Sequence, residues 1–207
     1  LHGGAQNAHT WDTVALALGR PLVAIDLPGH GHSDGGKNGS LNVPSNAEDV
    51  AVAIRELAPN AKLVVGMSLG GMTSLALAGH APELVQRLAL VDVTPGVDGP
   101  KSQQIANFIN GPESFPNFDE LLARTIEFNP TRTESSLRRG ILHNAFQLED
   151  GSWVWRYRRM VESGGDHPDF SSLWDTISAS SMPLLLARGM LSQSVVDDAD
   201  EAELVKR

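Results

Sequence analysis

Four short runs of consecutive apolar residues are spaced along this chain of 207 residues. The runs cover residues 21–27, 62–67, 88–93 and 183–187. Strands that are buried on both faces of a parallel sheet show this continuous apolar pattern, because helices cover both faces of such a sheet. The four runs therefore predict four strands of a buried sheet.

Between these runs the apolar residues recur at helical spacing. The predicted helices cover residues 11–18, 46–57 and 69–79. Ser45 and Glu48 have the pattern of a capping box at the start of the second helix, and Gly79 followed by Pro82 is typical of a helix end. Strands and helices that alternate in this way predict a doubly wound α/β domain, with a mostly parallel sheet and helices on both faces.

The pattern changes after residue 94. No strand-like run occurs between residues 95 and 180, where amphipathic stretches follow one another instead. These stretches are residues 118–128, 134–148 and 153–161. We expect a helical cap that is inserted into the α/β core. The predicted domains are residues 1–94 (first part of the core), 95–180 (helical cap) and 181–207 (continuation of the core).

Aromatic residues are concentrated in the predicted cap. All six phenylalanines, the single tyrosine and three of the four tryptophans lie between Phe108 and Trp174, whereas Trp11 stands alone in the first hundred residues. Rings on one face of a cap close an apolar pocket over a substrate in many enzymes. The same rings are equally compatible with a small hydrophobic core of the cap itself.

Composition and charge exclude several classes of function. The net charge is -9, and the arginine pairs at 138–139 and 158–159 are short, so we expect neither a nucleic-acid surface nor an anionic-membrane surface. The lack of cysteine excludes disulfides and thiolate zinc sites, and it is compatible with the cytoplasmic location that we expect. No apolar run approaches the roughly eighteen residues of a membrane span.

The second apolar run leads directly into Gly66-Met67-Ser68-Leu69-Gly70, which has the pattern G-x-S-x-G. A serine on a tight strand-to-helix turn projects its hydroxyl away from the backbone. Glycines two residues before and after it leave room for that turn. Ser68 is therefore the candidate nucleophile.

Two further segments resemble motifs of the α/β-hydrolase superfamily. Residues 1–5, Leu-His-Gly-Gly-Ala, resemble the H-G-x segment after the third strand of that fold, and residues 26–34, Asp-Leu-Pro-Gly-His-Gly-His-Ser-Asp, are similar to the D-x-P-G-x-G-x-S loop after its fourth strand. Together with the elbow, they make the chain similar to the capped bacterial esterases and carbon–carbon hydrolases of this superfamily. The resemblance implies the α/β-hydrolase fold with a cap after the sixth strand. It also implies no cofactor and acyl chemistry on a small, largely apolar substrate.

A serine hydrolase needs donors for the oxyanion that forms on the attacked carbonyl group. The resemblance implies the backbone N–H groups of Leu69 and Gly4 as these donors, each with about 3 kcal/mol of transition-state stabilisation. Gly3 and Gly4 are also compatible with a plain turn at the end of a strand.

The catalytic acid is less clearly marked in the sequence. The usual acid of the family follows the seventh strand, three residues after a glycine, and that position holds Ser192 with Gln193 beside it. Neither side chain carries a charge. Asp92, at the end of the sixth predicted strand of the family order, occupies an alternative acid position that some family members use. Aspartate is also a common turn former at such a position.

Three aspartates follow at 197, 198 and 200. They open a predicted helix that ends in Lys206 and Arg207. Capping and favourable interaction with the helix dipole explain these aspartates without a catalytic role.

The resemblance places the catalytic histidine after an eighth strand, downstream of Arg207. None of the seven histidines takes that position, and each is expected to be structural or on the surface, with His9 and His167 as the remaining substitutes. His30, His32 and Asp34 have the pattern of metal ligands. The loop motif explains them, and two histidines make a poor zinc set, so no metal site is expected.

We also expect the chain to be cut from a longer hydrolase, because only Leu1 remains of the third strand of the family. The main hypothesis is a serine hydrolase that cleaves an ester, a thioester or an activated C–C bond. The alternative is a non-catalytic ligand-binding or interaction protein on a hydrolase fold. A nucleotide-binding protein is a third hypothesis, but residues 29–36 match neither G-x-G-x-x-G nor a Walker loop.

Overall fold

A parallel three-stranded sheet forms the centre of the molecule. The computed structural model describes residues 1–35, 41–159 and 169–207. The strands are β1 (Val64–Met67), β2 (Leu88–Val91) and β6 (Leu184–Ala187), and they lie in the order β1-β2-β6. Met67 pairs with Val91, and Val91 pairs with Ala187. Three of the four strands predicted from the apolar runs are therefore confirmed.

The fourth predicted strand, residues 21–27, is wrong. The segment forms no strand and pairs with no strand of either sheet, and Leu22 and Val23 are 37% and 53% exposed. A β-strand in a sheet is held by backbone hydrogen bonds to a neighbouring strand. On the near side of β1 those bonds are made by Leu1, whose amino group donates to the Val65 carbonyl and whose carbonyl accepts from Met67 N–H at 3.1 Å.

The core around this sheet includes residues of four helices, which are α2 (Val43–Leu57), α3 (Leu69–His80), α7 (Leu173–Ala179) and α8 (Asp198–Lys206). Helix α1 (Asp12–Leu18) has no buried residue, and short 3-10 helices lie at Ala8–Trp11 and Pro82–Leu84. The predicted start of α2 at a Ser45 cap is wrong. Asn42 caps it instead by accepting from Ser45 N–H, and Pro44 lies in the first turn, where proline is favoured because that N–H has no helical partner.

The main hydrophobic core lies between the sheet and α2, α3 and α7. Leu75 and Leu77 of α3 and Leu88 and Leu90 of β2 are fully buried there. Helix α3 is apolar or small-residue on nearly every side, as a helix enclosed by the core requires. The core therefore holds the residue that joins β1 to α3 in a fixed position.

The inserted segment contains both helices and strands. Its elements are α4 (Gly99–Ile109), β3 (Ser114–Phe115), α5 (Phe118–Phe128), α6 (Glu134–Asn144), β4 (Ala145–Gln147) and β5 (Trp153–Trp155). The three strands form an antiparallel sheet in the order β3-β5-β4. The expectation of no strand in this segment is therefore wrong.

Two predicted helices of the insert need correction for the same reason. The stretch 134–148 is helical only to Asn144, and 153–161 begins as strand β5; its residues beyond 159 lie outside the described part of the chain. Trp153, Val154 and Trp155 are aromatic and β-branched residues, which favour strands. The hairpin closes through Leu148 N–H, which donates to the Ser152 carbonyl at 2.8 Å.

A second hydrophobic cluster lies within the insert. It is formed by buried Phe115, Leu121, Leu122, Leu137, Ile141 and Ala145, with Phe118, Trp153 and Trp155 packed against it. Four aromatic rings of the insert thus belong to a core of its own, whereas Phe170 and Trp174 pack on the main core. The predicted domain boundaries at residues 94 and 180 stay a prediction.

Across the described ranges, no helix has the length and apolar character needed to cross a membrane.

Candidate active site

Ser68 occupies the turn between β1 and α3. Its φ of 49° and ψ of -119° are unusual for a residue with a side chain, as a tight elbow requires. The Ser68 carbonyl accepts from Gly71 N–H at 2.8 Å and from Met72 N–H at 3.1 Å, which starts the helix. The hydroxyl makes no capping hydrogen bond, and the residue is half-buried. The side chain is therefore available to a ligand.

The two glycines of the elbow are required by close backbone contacts. A Cβ on Gly66 would lie 2.4 Å from the Gly70 carbonyl oxygen, and one on Gly70 would lie 2.5 Å from the carbonyl oxygens of Leu1 and His2. Distances this short are not tolerated between backbone atoms. The pattern G-x-S-x-G is thus a packing requirement of this turn.

The first loop, residues 1–5, lies directly beside the elbow. A Cβ on Gly3 would be 3.3 Å from the Ser68 Cβ. Gly3 N–H donates to Gln6 Oε1 at 3.2 Å, and Ala5 N–H donates to His30 Nε2 at 3.2 Å. Among the described residues, the N–H groups of Gly4 and Leu69 have no hydrogen-bond acceptor. Both predicted oxyanion donors are therefore unpaired; one directly follows the serine, and the other lies in the loop that contacts it through Gly3.

Asp92 lies beside Ser68 at the carboxyl edge of the sheet. Because Met67 pairs with Val91, the residues that follow them come from neighbouring strands, which lie about 4.8 Å apart. Asp92 Oδ1 accepts from Gly189 N–H at 2.9 Å and from the hydroxyl of Ser194. These donors fix the orientation of the carboxylate. Ser192 and Gln193, in the usual acid position, are exposed.

Backbone strain is concentrated at this edge. Within the described ranges, the non-glycine residues with positive φ are Ala5 at 57°, Ser68 at 49° and Asp92 at 48°. Each costs on the order of 1 to 3 kcal/mol, and such residues cluster at functional sites because surrounding structure has to hold them. The candidate nucleophile, the loop with the candidate donor Gly4 and the candidate acid are thus the strained positions.

Comparison with known proteins identifies the family. The family model for the alpha/beta hydrolase fold matches residues 1–178. The chain belongs to the α/β-hydrolase family. The predicted fold class and the predicted class of protein, a hydrolase, are thereby confirmed.

Individual relatives of this hydrolase are esterases and lipases. Esterase Rv0045c of Mycobacterium tuberculosis is 47% identical over 213 residues, which cover all of this chain and 70% of that protein. The sn-1-specific diacylglycerol lipase ABHD11 of Xenopus laevis is 27% identical over 186 residues, which cover 82% of this chain and 58% of that protein. The chain thus spans only part of the length of either relative.

Solved structures show the same relationship. A crystal structure of esterase Rv0045c matches with a TM-score of 0.83 and 48% identity, and it covers all of this chain and 70% of that one. A second structure, from work on transition metal inhibition of the same esterase, matches with a TM-score of 0.83 and 46% identity over all of this chain and 72% of that one.

Two buried histidines support the first loop of the hydrolase. His2 Nε2 accepts from Leu27 N–H at 2.9 Å and His30 Nε2 accepts from Ala5 N–H, so in both rings this nitrogen carries no proton. Their Nδ1 atoms donate to the carbonyls of Gly3 and Pro28. Burial lowers the pKa of His2 to about 4 and also lowers that of His30, so both rings are neutral at pH 7.

Asp26 supports the same loops through its carboxylate. Its Oδ1 accepts from Ala8 N–H at 2.7 Å and its Oδ2 from His32 N–H at 2.9 Å. Burial acts to raise its pKa, but these two backbone donors, together with the charges of His2 and His32, outweigh burial and lower it. The Asp26 carboxylate therefore serves the architecture of these loops.

No histidine of the described ranges bonds to the Ser68 hydroxyl. His32 and His80 are exposed, while His9 stacks on His143 at 3.7 Å between ring centroids. His167, one of the two substitutes considered from the sequence, lies outside the described residues. His9 faces His143 and Asp12 rather than the elbow.

The aspartates after β6 have the structural role that the sequence predicts. Asp197 caps α8 and forms a capping box with Asp200. Lys101 Nζ lies 2.8 Å from Asp200 Oδ2 and 3.0 Å from Asp197 Oδ2, which ties α8 to α4. Both carboxylates are therefore engaged away from Ser68.

Sequence reasoning missed Ser194 and the supporting roles of His2 and His30. Ser194 follows Gly189 by five residues and has no motif of its own, and its hydrogen bond to Asp92 spans 102 positions. His2 and His30 both belong to motifs that the sequence shows. Their hydrogen bonds, however, join segments that are 25 residues apart, and a local sequence pattern does not reveal such contacts.

Proposed function

We propose that this hydrolase is a serine esterase that cleaves the ester bond of a small, largely apolar carboxylic ester. The observation that carries the proposal is the arrangement at Ser68, where a strained serine with an uncommitted hydroxyl lies beside two unpaired backbone donors, Leu69 N–H and Gly4 N–H. Ser68 attacks the carbonyl carbon, and these donors bind the oxyanion that results.

Asp92 is the proposed acid of the triad. Its carboxylate is oriented by Gly189 N–H and Ser194, and it stands next to Ser68 in the strand register. A carboxylate held in this way fixes the tautomer of a histidine base and stabilises its charged form. In α/β-hydrolases the triad residues follow the chain order serine, acid, histidine, so the histidine base comes after the acid.

The named activities of the relatives favour a carboxylic ester over a thioester or a C–C bond. One relative is an esterase and another is a diacylglycerol lipase. We include sensitivity to transition metals in the proposal, because esterase Rv0045c has been studied for such inhibition.

The cytoplasmic location of the protein stays a prediction.

A p-nitrophenyl ester assay tests the nucleophile. The protein is expressed from its complete reading frame, and Ser68→Ala is expected to lower kcat/KM by about 10⁶, since a triad fails as a unit when its nucleophile is removed. Ser178→Ala, at an exposed serine of α7, is the matched control and retains the full rate. Equal rates for the wild type and Ser68→Ala would overturn the proposal.

Covalent labelling provides an independent readout. A fluorophosphonate is expected to form a bond between phosphorus and Ser68 Oγ, with loss of fluoride and a proton, and peptide mass spectrometry locates the adduct. If the protein instead binds apolar ester analogues equally well with and without Ser68→Ala and never turns them over, the non-catalytic ligand-binding alternative is correct.

A further inference from the structure

Three potential metal ligands meet where the first loop continues into α1 and the insert contacts it. His9 lies in the 3-10 helix, Asp12 begins α1, and His143 lies in the last turn of α6. His9 Nδ1 is 3.1 Å from Asp12 Oδ2, and one ligand atom from each of the three residues lies within 4.8 Å of the others.

The chemistry of the cluster suits a transition-metal ion. Imidazole nitrogen is a preferred ligand of Zn²⁺, Cu²⁺ and Ni²⁺, and a carboxylate adds a negative charge. Each histidine offers a ring nitrogen, and Asp12 offers a carboxylate oxygen.

The cluster is also open to an incoming ion. The side chain of His9 is 49% exposed and that of Asp12 is 34% exposed. Ligands of a tetrahedral ion stand about 3.4 Å apart when each bond is about 2.1 Å long. The rings of His9 and His143 are stacked at 3.7 Å between centroids, so a change of rotamer in exposed His9 is needed to direct both nitrogen lone pairs at one ion, and water supplies the fourth ligand.

We propose that His9, Asp12 and His143 bind a divalent transition-metal ion that joins α6 to the segment after the first loop.

This site has a direct connection to the catalytic machinery. Asn144, next to His143, donates from Nδ2 to the carbonyl of strained Ala5 at 2.7 Å, and its Oδ1 accepts from Asn7 Nδ2 at 3.2 Å. The two rings are already stacked at 3.7 Å between centroids, so an ion that turns the ring of His143 away from this stacked position displaces the adjacent Asn144 and hence the loop that presents Gly4 N–H. Occupancy is therefore expected to inhibit ester cleavage, a consequence that rests on the proposed function.

Calorimetric titration with ZnCl₂ tests the binding itself. The wild-type protein is expected to bind one Zn²⁺ at this site, and His9→Ala and His143→Ala each to weaken that binding at least tenfold. His80→Ala, which removes an exposed histidine at the far end of α3, is the matched control and retains wild-type affinity. Unchanged affinity in both cluster variants, or an equal loss in His80→Ala, would overturn the proposal.

Two further measurements separate this inference from the proposed function. Ser68→Ala is expected to bind Zn²⁺ as the wild type does, so the site stands even if no ester is cleaved. In the active protein, Zn²⁺ is expected to inhibit the wild type at least tenfold more strongly than His143→Ala. Equal inhibition of the two proteins would refute the connection between the ion and the loop.

Discussion

Strain at single residues distinguishes the candidate catalytic edge of this hydrolase from the rest of its described backbone. Ala5, Ser68 and Asp92 all have positive φ, and each ends or follows a segment that the central sheet holds in place. Strain of this kind persists only where surrounding contacts over-determine the backbone. It should therefore appear as a stability cost that substitution can remove.

Ser68→Gly is expected to unfold at a higher temperature than Ser68→Ala. Glycine adopts a φ of 49° without steric cost, so about 1 kcal/mol is recovered, which raises Tm by about 2 to 4 °C in a chain of this size. Differential scanning calorimetry measures the difference. At Ser102, within α4, the same pair of substitutions should give the opposite order, because glycine is about 1 kcal/mol worse than alanine in a helix.

Asp92→Asn tests the charge of the proposed acid without disturbing its position. Asparagine tolerates positive φ, and its side-chain oxygen can still accept from Gly189 N–H and Ser194. We expect kcat to fall by about 10⁴ with little change in Tm, as when a triad acid loses its charge. If kcat is unchanged, Asp92 is a turn former and the acid lies elsewhere.

The elements that the sequence predicts correctly are those whose pattern depends on burial alone. β1, β2 and β6 have apolar runs, and each lies next to a strand of the same sheet. Residues 21–27 have the same pattern but no such partner, because pairing is a property of two segments and not of one. The strands β3, β4 and β5 have two or three residues each, too few to show a period.

The candidate site, like the fold, could be predicted from the sequence only where a local pattern marks its residues. Ser68 and the two donors follow from a local motif and its resemblance to a family, since the elbow and its glycines are contiguous. Ser194, the metal cluster and the histidine supports of the first loop depend on contacts between distant segments. Their residues have no common motif, so only the folded chain places them together.

The ion pair between Lys101 of α4 and Asp200 of α8 is expected to contribute measurably to the stability of the fold. Asp200 is buried, with its side chain 7% exposed, and Lys101 lies at 2.8 Å with 24% exposed. Lys101→Met leaves the carboxylate without its cation, and we expect a loss of about 2 kcal/mol in the free energy of unfolding by urea. Lys206→Met is the control, because its partner Glu203 lies on the same exposed helix face and such pairs contribute well under 1 kcal/mol.

At the scale of the whole molecule, His2 connects parts of the fold that are distant in sequence. Its ring joins the first loop to Leu27, and its carbonyl packs against Gly70 at the start of α3. The ring performs this role only when neutral, because Nε2 has to accept a hydrogen bond. The stability of the fold is thereby linked to pH.

The linkage predicts a loss of stability in mild acid. The pKa of His2 is about 4 in the folded chain, against 6.5 for a histidine in water, so between these values the unfolded chain binds more protons. Stability is fully present above pH 6.5 and falls by about 3 kcal/mol as the pH drops to 4. His30 adds to the loss in the same direction, whereas the lowered pKa of Asp26 acts only at lower pH.

Urea unfolding at a series of pH values, compared between the wild type and His2→Gln, measures this contribution. Glutamine can still accept from Leu27 N–H but does not titrate, so the variant should be less stable at pH 7.5 and lose less stability between pH 6.5 and 4. The net charge of -9 also changes over this range, but it does so equally in both proteins and cancels in the comparison. His80→Gln, at an exposed histidine, should keep the wild-type slope. Identical slopes for the wild type and His2→Gln would show that the acid sensitivity has another origin.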